Sequence, residues 1–251
     1  MPCTNEHEIL THIFQGSESQ PEFADDRTGI IPIPDIFHEL VRVSMVSPLY
    51  SMDMFDCLNH HTNVFQAKGF SHEIIVTYMA QLLEALKTLK DRNVVHRDIK
   101  PENICIQKNG NLVLTDFELA IIDEGGAGVR PKQDVLVGTT LYLSPETFQR
   151  LEYSYQSDLW AVAMIACELH SPILPWVLNE RMHPNEVGCI IINTLPSRPP
   201  LMNDGLWSLI SRILVPKEIR ITVEEAMNDT LFGERFSFTK TTNEEKVKMG
   251  R

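Results

Sequence analysis

The chain has 251 residues, 43% of them apolar, and a formal net charge of −12. That length and apolar content suit one domain with a sizeable buried core. An acidic balance with no lysine- or arginine-rich run argues against nucleic acid or an anionic membrane surface as a partner.

The N-terminus lacks the basic start and apolar stretch of a signal peptide. Ile9, Leu10 and Ile13 fall on one helical face, which predicts a short helix over 5–14. The polar stretch 15–29, with Gly, Pro and Ser, reads as a loop. Apolar segments near 30–33 and 40–46, broken by Pro32 and Pro34, predict strands of a small sheet. His60-His61 reads as a solvated helix end rather than a metal pair. The clearest helix covers 71–92, with Ser71 as N-cap and Ile74, Ile75, Tyr78, Met79, Leu82, Leu83, Leu86 and Leu89 in helical period behind it.

Extended pieces at 104–107 and 111–115 flank Asn109-Gly110, a strong hairpin signal. Residues 116–146, with Gly125, Gly126 and Gly128, read as irregular. From 157 to about 231 the pattern is helical with proline breaks, and the polar tail 239–251 is expected to be disordered. The longest apolar stretch, Leu159 to Leu169, contains Glu168 and is about half a membrane span. Five scattered cysteines without a CxxC pair fit free thiols in a reducing compartment, so the expected location is intracellular, cytoplasmic or nuclear. Asn228-Asp229-Thr230 matches a glycosylation sequon, a chance match in an intracellular chain. The element order predicts an α+β domain dominated by helix.

The chemistry concentrates between the long helix and the hairpin, in Val94-Val95-His96-Arg97-Asp98-Ile99-Lys100-Pro101-Glu102-Asn103, followed across the hairpin by Thr115-Asp116-Phe117. Phosphoryl transfer needs Mg²⁺ held by carboxylate and amide oxygens, a carboxylate to orient the acceptor hydroxyl, and a cation against the developing charge. Asn103 and Asp116 suit the metal, Asp98 the hydroxyl and Lys100 the charge. The hairpin returns the chain so that both ends reach one place.

His96-Arg97-Asp98-Ile99-Lys100-Pro101-Glu102-Asn103 resembles the catalytic loop of protein kinases, and Asp116-Phe117-Glu118 resembles their metal-binding triplet. Gly138-Thr139-Thr140-Leu141-Tyr142-Leu143-Ser144-Pro145-Glu146 looks like the end of a kinase activation segment. The resemblance runs from about 5 to 232 and implies a kinase-like fold, ATP and Mg²⁺ as cofactors, and a protein substrate. Lys100 marks the serine/threonine type. The resemblance further implies that Glu146 pairs with Arg220, that Asp158 anchors the catalytic loop, and that Thr139 contacts Asp98 and Lys100. Glu6 matches the glutamate that pairs with the ATP-binding lysine; an ordinary helix N-terminal acid is the equal alternative. Cys105 falls under the adenine ring by resemblance, or is a small core thiol. Arg97 implies control by a phosphate in the activation segment, with Thr139 and Thr140 both open as the modified hydroxyl. The implied division is 1–50 as a small-lobe remnant, 51–236 as the large lobe and 237–251 as a tail.

The sequence departs from the family in three places. No Gly-rich loop occurs and no lysine precedes Lys68, so the first small-lobe strands are expected to be missing from this chain. Glu118 stands where glycine is usual, and Ala163 replaces a glycine in the helix after Asp158. Two functions follow: a serine/threonine kinase, or a pseudokinase or truncated regulator that binds a kinase or its substrate.

Overall fold

The computed structural model describes residues 2–15, 29–32, 35–38, 43–46, 48–65, 69–123, 135–171 and 173–233. The glycines at 125, 126 and 128 and the tail 239–251 lie outside them. The described elements begin with α1 (Pro2–Phe14), β1 (Asp35–His38), β2 (Val43–Val46), β3 (Met52–Asp53), α2 (Met54–Phe65) and α3 (His72–Asp91). Then come β4 (Val94–Val95), β5 (Ile104–Ile106), β6 (Leu112–Leu114) and β7 (Ile121–Ile122). The remainder is helical: α4 (Pro145–Arg150), α5 (Tyr155–His170), α6 (Pro184–Asn193), α7 (Asp204–Ile213) and α8 (Val223–Met227). No described helix is long and apolar enough to cross a membrane.

Helix α3 forms where the 3.6-residue period places it. Ser71 caps its N-terminus by accepting from the Ile74 amide. Asn93 ends it in the left-handed region at φ 56°, donating its amide to the Lys90 carbonyl. One face buries Ile75, Met79, Leu82, Leu83, Leu86 and Leu89. Each such side chain contributes roughly 1.5–3 kcal/mol on burial. The opposing surface is α5, which is apolar all round and buried along almost its whole length. Trp160 of α5 stacks on Trp176 with ring centroids 5.5 Å apart.

Among the described residues the strands form three small antiparallel sheets: β1–β2, β3–β5–β6 and β4–β7. The β5–β6 hairpin pairs Ile104 with Leu114 and Ile106 with Leu112. Gly110, at φ 85°, closes its turn in a conformation that Asn or Gly tolerates best.

Two sequence expectations need correction. Residues 30–32 form no strand, and residue 33 lies outside the described residues; Ile30 makes only an isolated bridge to Leu114, and the first described strand begins at Asp35. Pro32 lacks the N–H that would carry a ladder onward. The stretch 116–146 is not wholly irregular, because Ile121–Ile122 pairs with Val94–Val95 and Thr140–Tyr142 forms a 3₁₀ turn. Helix α2 was not foreseen from the sequence beyond its histidines. Its signal is Asp53, whose carboxylate accepts the Asp56 amide at 2.7 Å as an N-cap.

Candidate active site

The catalytic-loop segment leaves β4, passes through a short 3₁₀ turn at Pro101–Asn103 and enters β5; β6 then returns to Asp116. Asp158, in the first turn of α5, reaches up from below: its carboxylate accepts the amides of His96 at 2.8 Å and Arg97 at 3.1 Å. These bonds hold Arg97 at φ 71°, a conformation costing about 1–3 kcal/mol for a non-glycine residue. Burial raises the Asp158 pKa to about 7 against the lowering effect of the two amides and Arg97.

His96 is fully buried and pinned at both nitrogens. The Asp98 amide donates to Nδ1 at 3.4 Å, so the ring proton sits on Nε2 and is donated to the Thr115 carbonyl at 3.0 Å. Burial lowers its pKa to about 4, which keeps the ring neutral. The ring lies 4.7 Å from that of Phe117, itself completely buried. A loop residue thus ties β6, the Asp-Phe unit and Asp98 together.

Asp98 sits at the centre of a polar cluster. Thr139 Oγ1 donates to its Oδ1 at 2.7 Å, and Lys100 Nζ lies 3.0 Å from its Oδ2. Lys100 also donates to Thr139 Oγ1 at 3.2 Å. Asn103 Nδ2 donates to the Asp98 carbonyl at 3.0 Å and to Oδ2 at 3.3 Å, leaving Asn103 Oδ1 as an acceptor. Asp116 is exposed, at φ 61°, and His96 is within electrostatic reach of both aspartates. Cys105 lies on β5 opposite Asp53 and Val113, half-buried, with burial pushing its thiol up. Thr140 opens the 3₁₀ turn and is half-buried. The Arg97 guanidinium donates from Nε to the Leu119 carbonyl and lies over the Tyr153 ring.

Gly138 lets Thr139 reach Asp98. It has φ 99°, and a Cβ there would stand 2.5 Å from the Arg97 carbonyl oxygen. Gly138→Ala is expected to cost about 1–3 kcal/mol of strain and to push Thr139 off Asp98. Thermal unfolding should show a drop of a few °C, and any phosphoryl-transfer rate should fall by roughly tenfold or more.

Glu146 and Arg220 form a bidentate pair at 2.6 and 3.0 Å, far from solvent. Glu6 accepts the Phe117 amide at 3.2 Å. Burial raises its pKa, the Phe117 amide opposes that, and Asp116 and Glu118 add to it. Sequence reasoning missed its neighbour Asn5, whose Nδ2 reaches the carbonyls of Glu118 at 2.7 Å and Ala120 at 3.2 Å. The sequence separation left no local signal for that contact. His61 bonds the Gly69 carbonyl and stacks on Phe70, and the described residues hold no cluster of three His, Cys, Asp or Glu suited to a metal.

A helix-dominated α+β fold that gathers an aspartate, a lysine and an asparagine on one loop, with a second aspartate across a hairpin, is kinase-like. A family model described as the protein kinase domain matches residues 21–232, and the chain belongs to that family. Helix α1 precedes the matched residues.

Similar curated proteins are kinases. Aurora kinase of Eremothecium gossypii is 41% identical over 41% of this chain and 28% of its own length. CBL-interacting protein kinase 24 of Oryza sativa subsp. japonica is 30% identical over 68% of this chain and 37% of its own length. Serine/threonine-protein kinase fray2 of Dictyostelium discoideum is 32% identical over 60% of this chain and 14% of its own length. The chain thus spans well under half the length of these relatives.

Proposed function

We propose that the chain transfers the γ-phosphoryl group of ATP to serine or threonine hydroxyls of a protein. The observation that carries this reading is the single hydrogen-bonded cluster of Asp98, Lys100, Asn103 and Thr139. Asp98 orients the acceptor hydroxyl and takes its proton. Lys100, held on the same carboxylate, offsets charge at the acceptor side. Asp116 and the Asn103 amide oxygen are a hard-oxygen donor set of the kind Mg²⁺ uses, one carboxylate completed by phosphates and water. Bound Mg²⁺ would neutralise the phosphate charge. Cys105 would contact the adenine, and residues 1–50 and 51–236 would form the two lobes.

A groove of about 730 Å³ beside the site fits the acceptor chain. Phe55, Leu58, Leu141 and Leu178 line it, with Glu168, Glu180 and Arg181 at its polar side. Glu168 is raised by burial, lowered by its 2.7 Å bond from Tyr142, and raised again by Glu102 and Glu180. A guanidinium on the substrate would relieve that repulsion. Peptides with arginine before the acceptor hydroxyl are expected to outcompete glutamate-substituted ones by roughly tenfold or more in kcat/KM, as one charged hydrogen bond allows. Glu168→Gln should narrow that ratio; an unchanged ratio removes Glu168 from substrate selection.

The direct test is incorporation of labelled phosphate from ATP·Mg²⁺ into a protein acceptor by the purified chain, with chelator abolishing it. A regulator that binds a kinase or its substrate is the second reading, favoured by Glu118 in the metal-binding triplet. A folded chain without incorporation would select it.

A further inference from the structure

Helix α1 grips the turn that follows Asp116. Phe117 to Ala120 form a closed turn, with the Ala120 amide donating to the Phe117 carbonyl at 3.1 Å. Asn5 Nδ2 donates to the Glu118 carbonyl at 2.7 Å and the Ala120 carbonyl at 3.2 Å, and stands 3.5 Å from that of Phe117. Glu6, the next residue, takes the Phe117 amide. Arg97 takes the Leu119 carbonyl from the other side. Four consecutive carbonyls are therefore held, and those of Glu118 and Ala120 are held from α1.

The turn needs holding. Asp116 sits at φ 61°, which a non-glycine residue leaves unless its surroundings fix it. Glu118 adds a side chain where glycine would bend freely. An asparagine amide carries two N–H donors on one nitrogen, so a single side chain can fix two carbonyls. The helix is anchored in turn by buried Ile9, Leu10 and Ile13, and by His12 on the Arg92 carbonyl at 2.8 Å.

We propose that Asn5 is a positioning residue for Asp116: it locks the 117–120 turn from α1 and so keeps the Asp116 carboxylate in its metal-holding place. The proposal rests on the reading of Asp116 as a metal ligand. Asn5→Ala removes both donors, and Asn5→Asp keeps the shape but sets a carboxylate against two carbonyls. Glu8→Gln, on an exposed position of the same helix, is the control.

Amide hydrogen exchange without nucleotide reads the lock itself. Asn5→Ala should speed exchange at Phe117–Ala120 by roughly tenfold or more, and Asn5→Asp by more, with α3 and α5 unchanged. Mn²⁺ titration in the presence of ATP, followed by electron paramagnetic resonance, reads the consequence. The apparent Mn²⁺ affinity should fall about 10–100-fold, as for loss of a group supporting a ligand. Unchanged exchange across the turn overturns the lock. Faster exchange with unchanged Mn²⁺ affinity overturns the positioning role. If the parent chain binds no Mn²⁺·ATP, the metal reading of Asp116 fails and the positioning role with it, whatever the exchange shows.

Discussion

Asp98→Asn is expected to lower the rate of phosphoryl transfer by about 10²–10⁴-fold, the usual worth of a positioned general base. The carboxylate is only 8% exposed, and its two oxygens accept from Thr139, Lys100 and Asn103. An asparagine keeps the volume and one acceptor oxygen, but its amide cannot take a proton. Turned so that its oxygen keeps Lys100 and Asn103, the amide sets its nitrogen against Thr139 Oγ1, a hydroxyl that can accept. Loss of the charge still weakens the contact with Lys100 Nζ, at about 1–3 kcal/mol. The variant should therefore unfold a few °C lower yet remain folded at assay temperature. Initial rates with labelled ATP·Mg²⁺, read beside circular dichroism, check both parts. A folded variant that keeps more than a tenth of the parent rate would remove Asp98 from the chemistry.

What was legible in the sequence was local. The α3 period, the Asn109-Gly110 turn and the catalytic-loop string each lie within a few residues of one another, so spacing alone carries them. Helix α2 was hidden because its buried face is thin: among its described side chains Met54 is buried, while Cys57 and Leu58 are only partly covered. The apolar Ile30 and Ile31 imitated a strand, but they are buried by docking beside Leu114 through one bridge rather than by a ladder. The roles of Asn5 and Glu6 depend on backbone groups more than a hundred residues away, at 117–120. No periodicity encodes such a contact. Glu6 shows the point sharply: resemblance suggested a lysine partner, while the structure gives its carboxylate a backbone amide.

The Glu146–Arg220 pair joins the end of the activation segment to the chain ahead of α8, and its loss should produce the largest fall in stability. Arg220 does more than meet a carboxylate. Its Nε donates to the Ile213 carbonyl at 2.9 Å, Nη2 to Val215 at 2.9 Å and Nη1 to Gln156 at 2.7 Å. Its guanidinium also lies 5.0 Å over the Trp160 ring. Removing one partner of a buried pair costs about 3–5 kcal/mol, because the other charge stays buried without compensation. At about 2–4 °C per kcal/mol for a domain of this size, Arg220→Ala should lower Tm by roughly 10 °C. Apolar replacement of both partners, Glu146→Leu with Arg220→Met, separates two causes. If the ion pair alone mattered, the double variant would recover most of the loss, since a buried pair barely repays its own desolvation. The three carbonyls predict otherwise. Each loses the Arg220 donor, although that of Ile213 keeps the Val215 amide and that of Gln156 lies in the first turn of α5. At about 0.5–1.5 kcal/mol for each lost bond, the double variant should unfold nearer the Tm of Arg220→Ala than that of the parent. Calorimetric unfolding of the three chains decides it: recovery to within a few °C of the parent would make Arg220 a mere counter-ion, and persistent loss would make it the donor hub on which α5, α7 and the activation-segment end converge.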